Sequence, residues 1–148
     1  MADLSAFAEL ASLDHGLCVL TSKRGDGTIA ASVVNAGVLA HPLTGELVVG
    51  LVARGVRKLD HLRADPQATI VARAGWRWSA VEGEAGIIGP DDDLPSGVDA
   101  GQLRALLRAV FVAAGGSHDD WDEYDRVMAE DRSAAVLIDP RRAYGNPG

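Results

Sequence analysis

Arg54, Arg57, Lys58 and His61 recur at i, i+3, i+4 and i+7 in the stretch 46–66. On a helix that spacing puts all four on one face, with Val56, Leu59 and Arg63 on another. Arg57 and Lys58 fall in the first turn, where unpaired backbone N–H groups and the positive end of the helix dipole add to their own charge. The chemistry this suits is the holding of an anion, above all a phosphate. The apolar run 47–53 before the cluster reads as a strand, and Asp65-Pro66 ends the helix, because the residue before a proline is pushed out of helical conformation.

A basic patch is informative here because the rest of the chain is acidic. The net charge is −7 over 148 residues, which argues against general nucleic-acid binding, since that depends on many Lys and Arg neutralising phosphates. With 47% hydrophobic and 24% charged residues the composition is that of an ordinary globular protein. The length suits one domain, 1–148, able to bury about 68–70% of its unfolded surface. Cys18 stands alone in the apolar run 17–20. It excludes an intrachain disulfide and reads as a small buried hydrophobe in a reducing compartment. No run approaches the roughly 20 apolar residues of a membrane span, and the first ten residues are acidic rather than signal-like. The expectation is a cytoplasmic protein with neither nucleic-acid nor membrane partners.

The elements that must position the cluster follow from periodicity. Asp3 can cap a first helix carrying Leu4, Phe7, Ala8 and Ala11 on one stripe and ending near His15-Gly16. Runs 17–22 and 28–40 read as strands joined by a hairpin at Asp26-Gly27, which accounts for the Arg24-Gly25-Asp26 tripeptide without an adhesive role. A second turn at 41–45 leads into strand 46–53. After the basic helix come strands 67–73 and 79–88, with Gly83 and Gly86 marking a bulge or a close backbone approach. Residues 89–101 read as a polar loop whose Asp91-Asp92-Asp93 run lacks the alternation of a calcium site and is expected to be solvated. Leu103, Leu106, Leu107, Val110 and Phe111 mark a core-facing helix stopped by Gly115-Gly116; Trp121, Tyr124 and Met128 mark a weaker one over 119–131. A strand over 134–139 ends before Pro140. About six strands and four short helices, joined mostly by hairpins and short loops, predict a mainly β (α+β) fold with an antiparallel sheet closed into a small barrel.

Rival chemistries lack their motifs. There is no Gly-x-Gly-x-x-Gly after a strand, no phosphate loop and no Gly-x-Ser-x-Gly elbow. His15, His41, His61 and His118 are scattered, so no metal site is expected.

Against that background, the run Gly55-Val56-Arg57-Lys58, then 62–70 (LRADPQATI), 76–83 (WRWSAVEG) and the ending 136–145 (VLIDPRRAYG) resemble the split β-barrel flavin and deazaflavin proteins related to pyridoxamine 5′-phosphate oxidase. The branch resembled is the actinobacterial one, whose members often use coenzyme F-420 in place of FMN. The resemblance implies a split β-barrel of FMN-binding type and a homodimer with the cofactor at the interface. It further implies hydride transfer from reduced F-420 to a small conjugated acceptor. An FMN-dependent oxidoreductase and a non-catalytic cofactor carrier are the alternatives. It also implies site residues: Arg57 and Lys58 on the cofactor phosphate with Arg54 near it, Ser32, Val33, Val34 and Asn35 facing the ring, and Val52 and Ala53 giving backbone contacts. Trp78 would line the pocket or the dimer contact. The F-420 tail is polyanionic, so a chain of net charge −7 needs a local basic groove to accept it, and Arg54, Arg63 and Arg77 are the candidates to line one if they converge. The Arg-x-His substrate pattern of the oxidase proper is missing, and no catalytic side chain is implied, because the ring carries the chemistry.

Overall fold

The computed structural model describes residues 2–54 and 56–146, and the backbone alone of Val56. Gly55 and the Val56 side chain, both in the run that carries the resemblance, lie outside the described residues. Six strands form a closed barrel in which every pairing is antiparallel: β1 (Leu17–Lys23), β2 (Ile29–Ala40), β3 (Leu47–Ala53), β4 (Gln67–Ala74), β5 (Arg77–Ile88) and β6 (Ala134–Gly145). Their order around the barrel is β1-β2-β3-β6-β5-β4. Four helices complete the chain: α1 (Ser5–Leu13), α2 (Val56–Ala64), α3 (Ala100–Ala113) and α4 (Trp121–Glu130). The expected α+β antiparallel barrel is what the chain forms. No described helix is long and apolar enough to cross a membrane.

Two apolar clusters hold this shape. The inner one fills the barrel with Leu20, Leu51, Ile70, Val81, Val136 and Ile138, and α1 and α2 add Phe7, Leu10, Leu59 and Leu62 to it. The outer one lies between the barrel wall and the last two helices, where Val48, Ile88, Ala135 and Leu137 meet Leu106, Leu107, Val110 and Tyr124. β3 and the first half of β6 are therefore buried on both faces and read as continuous apolar runs, whereas β1 alternates buried and exposed.

Local chemistry explains the boundaries. Asp3 accepts a hydrogen bond from the Ser5 N–H at the start of α1. Asp26 accepts from both the N–H and the hydroxyl of Thr28, and Gly27 takes a φ of +85°, so the Arg24-Gly25-Asp26 turn is consumed in building its hairpin. Asp99 and Gln102 cap α3 reciprocally, and Asp120 caps α4.

Four expectations are corrected. Arg54 precedes α2 and is not part of its face. β6 continues past Pro140 to Gly145, because a register shift at Glu82/Gly83 places a bulge opposite, where a proline needs no ladder N–H. Gly83 is required there, since a Cβ would lie 1.9 Å from the Asp139 carbonyl, but a Cβ on Gly86 would meet only the Leu137 carbonyl, at 3.8 Å. The acidic loop is not simply solvated: Asp91 pairs with Arg132, and Asp92 accepts a two-point fork from Arg63.

Candidate anion-binding site

A cavity of about 430 Å³ opens where the outer side of β2 meets the last two helices. One wall is barrel: Val33, Val34 and Asn35 of β2, with Val52 and Ala53 at the end of β3. The opposite wall is helical: Val110 and Phe111 of α3, the Ala114–Gly116 turn, and Tyr124 and Met128 of α4. Arg54 and Lys58 stand where β3 passes into α2. The helical wall is seated by close approach. A Cβ on Gly37 would come within 2.0 Å of the Ala113 carbonyl, and one on Gly16 within 2.1 Å of the Ala114 carbonyl, so only glycine lets the end of α3 lie against the barrel. Arg108 forks onto Asp125 at 2.9 and 2.5 Å and ties α3 to α4.

The electrostatics are one-sided. Among the described residues no Asp or Glu lines the cavity, and of its two lining cations only Arg54 has a carboxylate partner, Asp131. Lys58 is half-buried and has no carboxylate partner among the described residues, and burial lowers its ammonium below the ordinary lysine range. Arg57 is exposed in the same first turn and does not reach the cavity wall. That turn holds no acidic residue. Cations at a helix N-terminus oppose the helix dipole, so an arrangement with two of them and no acid is one that an anion would relieve.

Other lining groups are already committed. The Tyr124 hydroxyl donates to the Leu107 carbonyl at 3.1 Å, and burial, with Asp125 beside it, pushes its pKa up to about 12. Asn35 donates to the His15 carbonyl at 2.9 Å, and His15 sits in the left-handed region at φ 57°. His15, Phe111, Tyr124 and Met128 were missed as lining residues in the sequence. The last three carry an ordinary amphipathic stripe, and His15 carries only an adjacent glycine as a signal of unusual backbone.

The structure thus gathers Val33, Val34, Asn35, Val52, Ala53, Arg54 and Lys58 around one cavity, and leaves Arg57, Ser32 and Trp78 off its wall. Trp78 lies on the outer face of β5, edge-on to Tyr144 with ring centroids 6.0 Å apart. Trp76 is 94% exposed at the β4–β5 turn. The Tyr144 hydroxyl donates to Glu82 at 2.5 Å. The expected arginine groove does not assemble: Arg54 pairs with Asp131, Arg63 with Asp92 and Asp60, and Arg77 with Glu9. A second cavity of about 340 Å³ contains Lys23 and Arg141, but Glu82 and Glu84 share its wall and both cations have carboxylate partners. It lacks the unbalanced charge. Cys18 is buried, and desolvation, with Asp14 nearby, raises its thiol to about 12, which removes it as a nucleophile. Among the described residues no group of three or more His, Cys, Asp or Glu gathers as a metal site would require.

No protein-family model matches the chain. Solved structures do. A pyridoxamine 5′-phosphate oxidase-related, FMN-binding protein from Nostoc punctiforme superposes with TM-score 0.65 at 14% identity, over 98% of this chain and 84% of that one. A conserved hypothetical protein from Mycobacterium tuberculosis gives 0.64 at 20% identity, over 93% and 82%. An F-420 reductase gives 0.57 at 15% identity, over 86% and 88%. At these identities the likeness is one of fold: the chain has the split barrel of the pyridoxamine 5′-phosphate oxidase-like proteins, a fold that serves both an FMN-binding protein and an F-420 reductase.

Proposed function

We propose that the cavity between β2 and the α3–α4 wall binds a phosphate-bearing ring cofactor of flavin type, and that the protein is an oxidoreductase. Its cofactor would be reduced coenzyme F-420 and its substrate a small conjugated acceptor. The observation that carries this reading is Lys58: a half-buried cation with no carboxylate partner among the described residues, at a helix N-terminus, on the wall of a cavity that no described Asp or Glu lines. The residues present fit such a group. Lys58 would hold the phosphate, with Arg57 adding charge from the same turn and Arg54 from the rim. Val33, Val34, Asn35, Val52 and Ala53 would pack the ring, with Ser32 at the edge of that strand segment, and the cavity volume lies within the usual range for small-molecule sites. When bound, a reduced ring of this kind supplies a hydride. The chain's part is to fix the ring and exclude water from one side with Phe111 and Met128.

The paired arginines favour a second reading. With Arg63 and Arg77 engaged by carboxylates, little free cation remains for a polyanionic tail, and FMN, with its single phosphate, asks for less. A non-catalytic carrier on the same barrel is the third possibility. The open outer face of β1, β2 and β5, with Val19, Val33 and Trp78 exposed, supports a homodimer, and Trp78 is proposed to act at that contact. Absorbance and fluorescence titrations with FMN and F-420 side by side test the reading. We expect micromolar or tighter binding of one of them, lost at least tenfold in an Arg57→Ala, Lys58→Ala double variant. Equal binding by both proteins would overturn the site, and binding without turnover across a broad acceptor panel would leave the carrier.

A further inference from the structure

Arg54 reaches the cavity with its charge already engaged: its Nη1 donates to Asp131 Oδ2 at 3.2 Å. Asp131 is the C-cap of α4. A negative charge there adds to the unpaired carbonyls and the negative end of the helix dipole, so the carboxylate opposes the helix it ends. The acids that favour α4, Asp122 and Glu123, stand in its first turn. Among the described residues Arg54 is the sole ionic partner of Asp131. The contact is made through one oxygen, whereas Arg63–Asp92 and Arg108–Asp125 are two-point forks. Its partners are 64% and 41% exposed, and ion pairs that open to water are weak. The next residue, Arg132, takes a φ of 50° and pairs with Asp91, so the turn stays pinned when the Asp131 carboxylate lets go.

We propose that Asp131 is a specificity-determining residue, a built-in competitor that occupies Arg54 until a ligand's phosphate displaces it. This rests on the reading of the cavity as an anion site. Lys58 offers its charge to any anion that enters. Arg54 offers a second charge only to a group able to outbid a carboxylate, which a dianionic phosphate does and a neutral ring does not. No covalent bond changes. The guanidinium exchanges one oxygen partner for another, and Asp131 is released to water.

The test is a double-mutant cycle with inorganic phosphate, FMN and riboflavin as probes at low ionic strength, on the wild type, Asp131→Asn, Arg54→Ala and the double variant. Glu130→Gln serves as a control one residue away at the same helix end, where Glu130 pairs with Arg126. Asp131→Asn should tighten phosphate and FMN by about three- to tenfold and leave riboflavin unchanged. The gain should vanish in the Arg54→Ala background, and Glu130→Gln should move each affinity less than about twofold. No gain in Asp131→Asn, a gain that persists without Arg54, or an equal gain for riboflavin overturns the proposal. The outcomes separate it from the cofactor reading. A phosphate effect without FMN binding keeps Asp131 and removes the flavin, and FMN binding indifferent to Asp131→Asn does the reverse.

Discussion

The barrel has two outer faces, and they are finished differently. Over β3 and the first half of β6 the outward residues Val48, Ala135 and Leu137 are covered by α3 and α4, and the strands read as unbroken apolar runs. Over β1 and β2 the outward residues Leu17, Val19, Ile29 and Val33 stay exposed, Val33 to 66%. A row of large apolar side chains left open on a regular sheet marks a surface suited to a partner. The cavity with Lys58 lies at the seam, one wall taken from each region. The α3–α4 pair thus both covers β3 and the first half of β6 and builds the helical wall of the candidate site.

That contrast is broken most directly by charge. Leu137→Asp places a carboxylate inside the outer cluster and should abolish folding, and Leu137→Ala should cost about 2–5 kcal/mol in urea unfolding. Val33→Asp should leave the far-UV spectrum intact and change protomer stability by less than about 1 kcal/mol, while light scattering reports loss of self-association. Unfolding of Val33→Asp, or an unchanged mass, contradicts the contrast. Next in size is Gly37→Ala, whose new methyl must push the end of α3 off the barrel. It should lower stability by about 1–3 kcal/mol and weaken cofactor binding with it, while Gly86→Ala, with nothing nearer than 3.8 Å, should do neither. The strand alternation can be sharpened chemically. Native Cys18 should resist iodoacetamide at pH 8 and react only on unfolding, whereas a cysteine at Val19 in a Cys18→Ala background should react readily once Val33→Asp has opened the face.

The smallest expected effect concerns Lys58 and pH. Its folded pKa is lowered by desolvation, so between that value and the ordinary lysine value the unfolded chain binds more protons. Stability without ligand therefore rises with pH across that window, as the buried charge is discharged. Phosphate affinity runs the other way: it is full below the folded pKa and falls as pH climbs through it, ahead of where an exposed lysine would lose it. Lys58→Arg should remove the alkaline fall and keep the binding.

Much of this architecture was legible in the sequence, because hairpin turns and apolar periodicity are local signals: Asp26-Gly27, the strand runs and the α3 stripe translate almost residue by residue. Lys58 and the β2 and β3 segments were also legible, through the order of motifs. What was not legible depends on pairing across the chain. Nothing near Arg63 announces Asp92, nothing near Arg54 announces Asp131, and the arginine groove disappears once those long-range carboxylates arrive. Pro140 reads as a strand end because its bulge partner, Gly83, is far away in sequence. Phe111 and Tyr124 read as core because a helix stripe looks the same whether it faces other side chains or the wall of a cavity.

Hydrogen–deuterium exchange with saturating FMN or F-420, whichever binds, locates the ligand relative to the seam. Ligand protection should be confined to peptides covering 33–35, 52–58 and 110–116, with unchanged exchange around Thr21, Glu82 and Arg141 at the other cavity and loss of the pattern in Lys58→Ala. Protection at that second cavity, or none at the start of α2, would contradict a site at the seam.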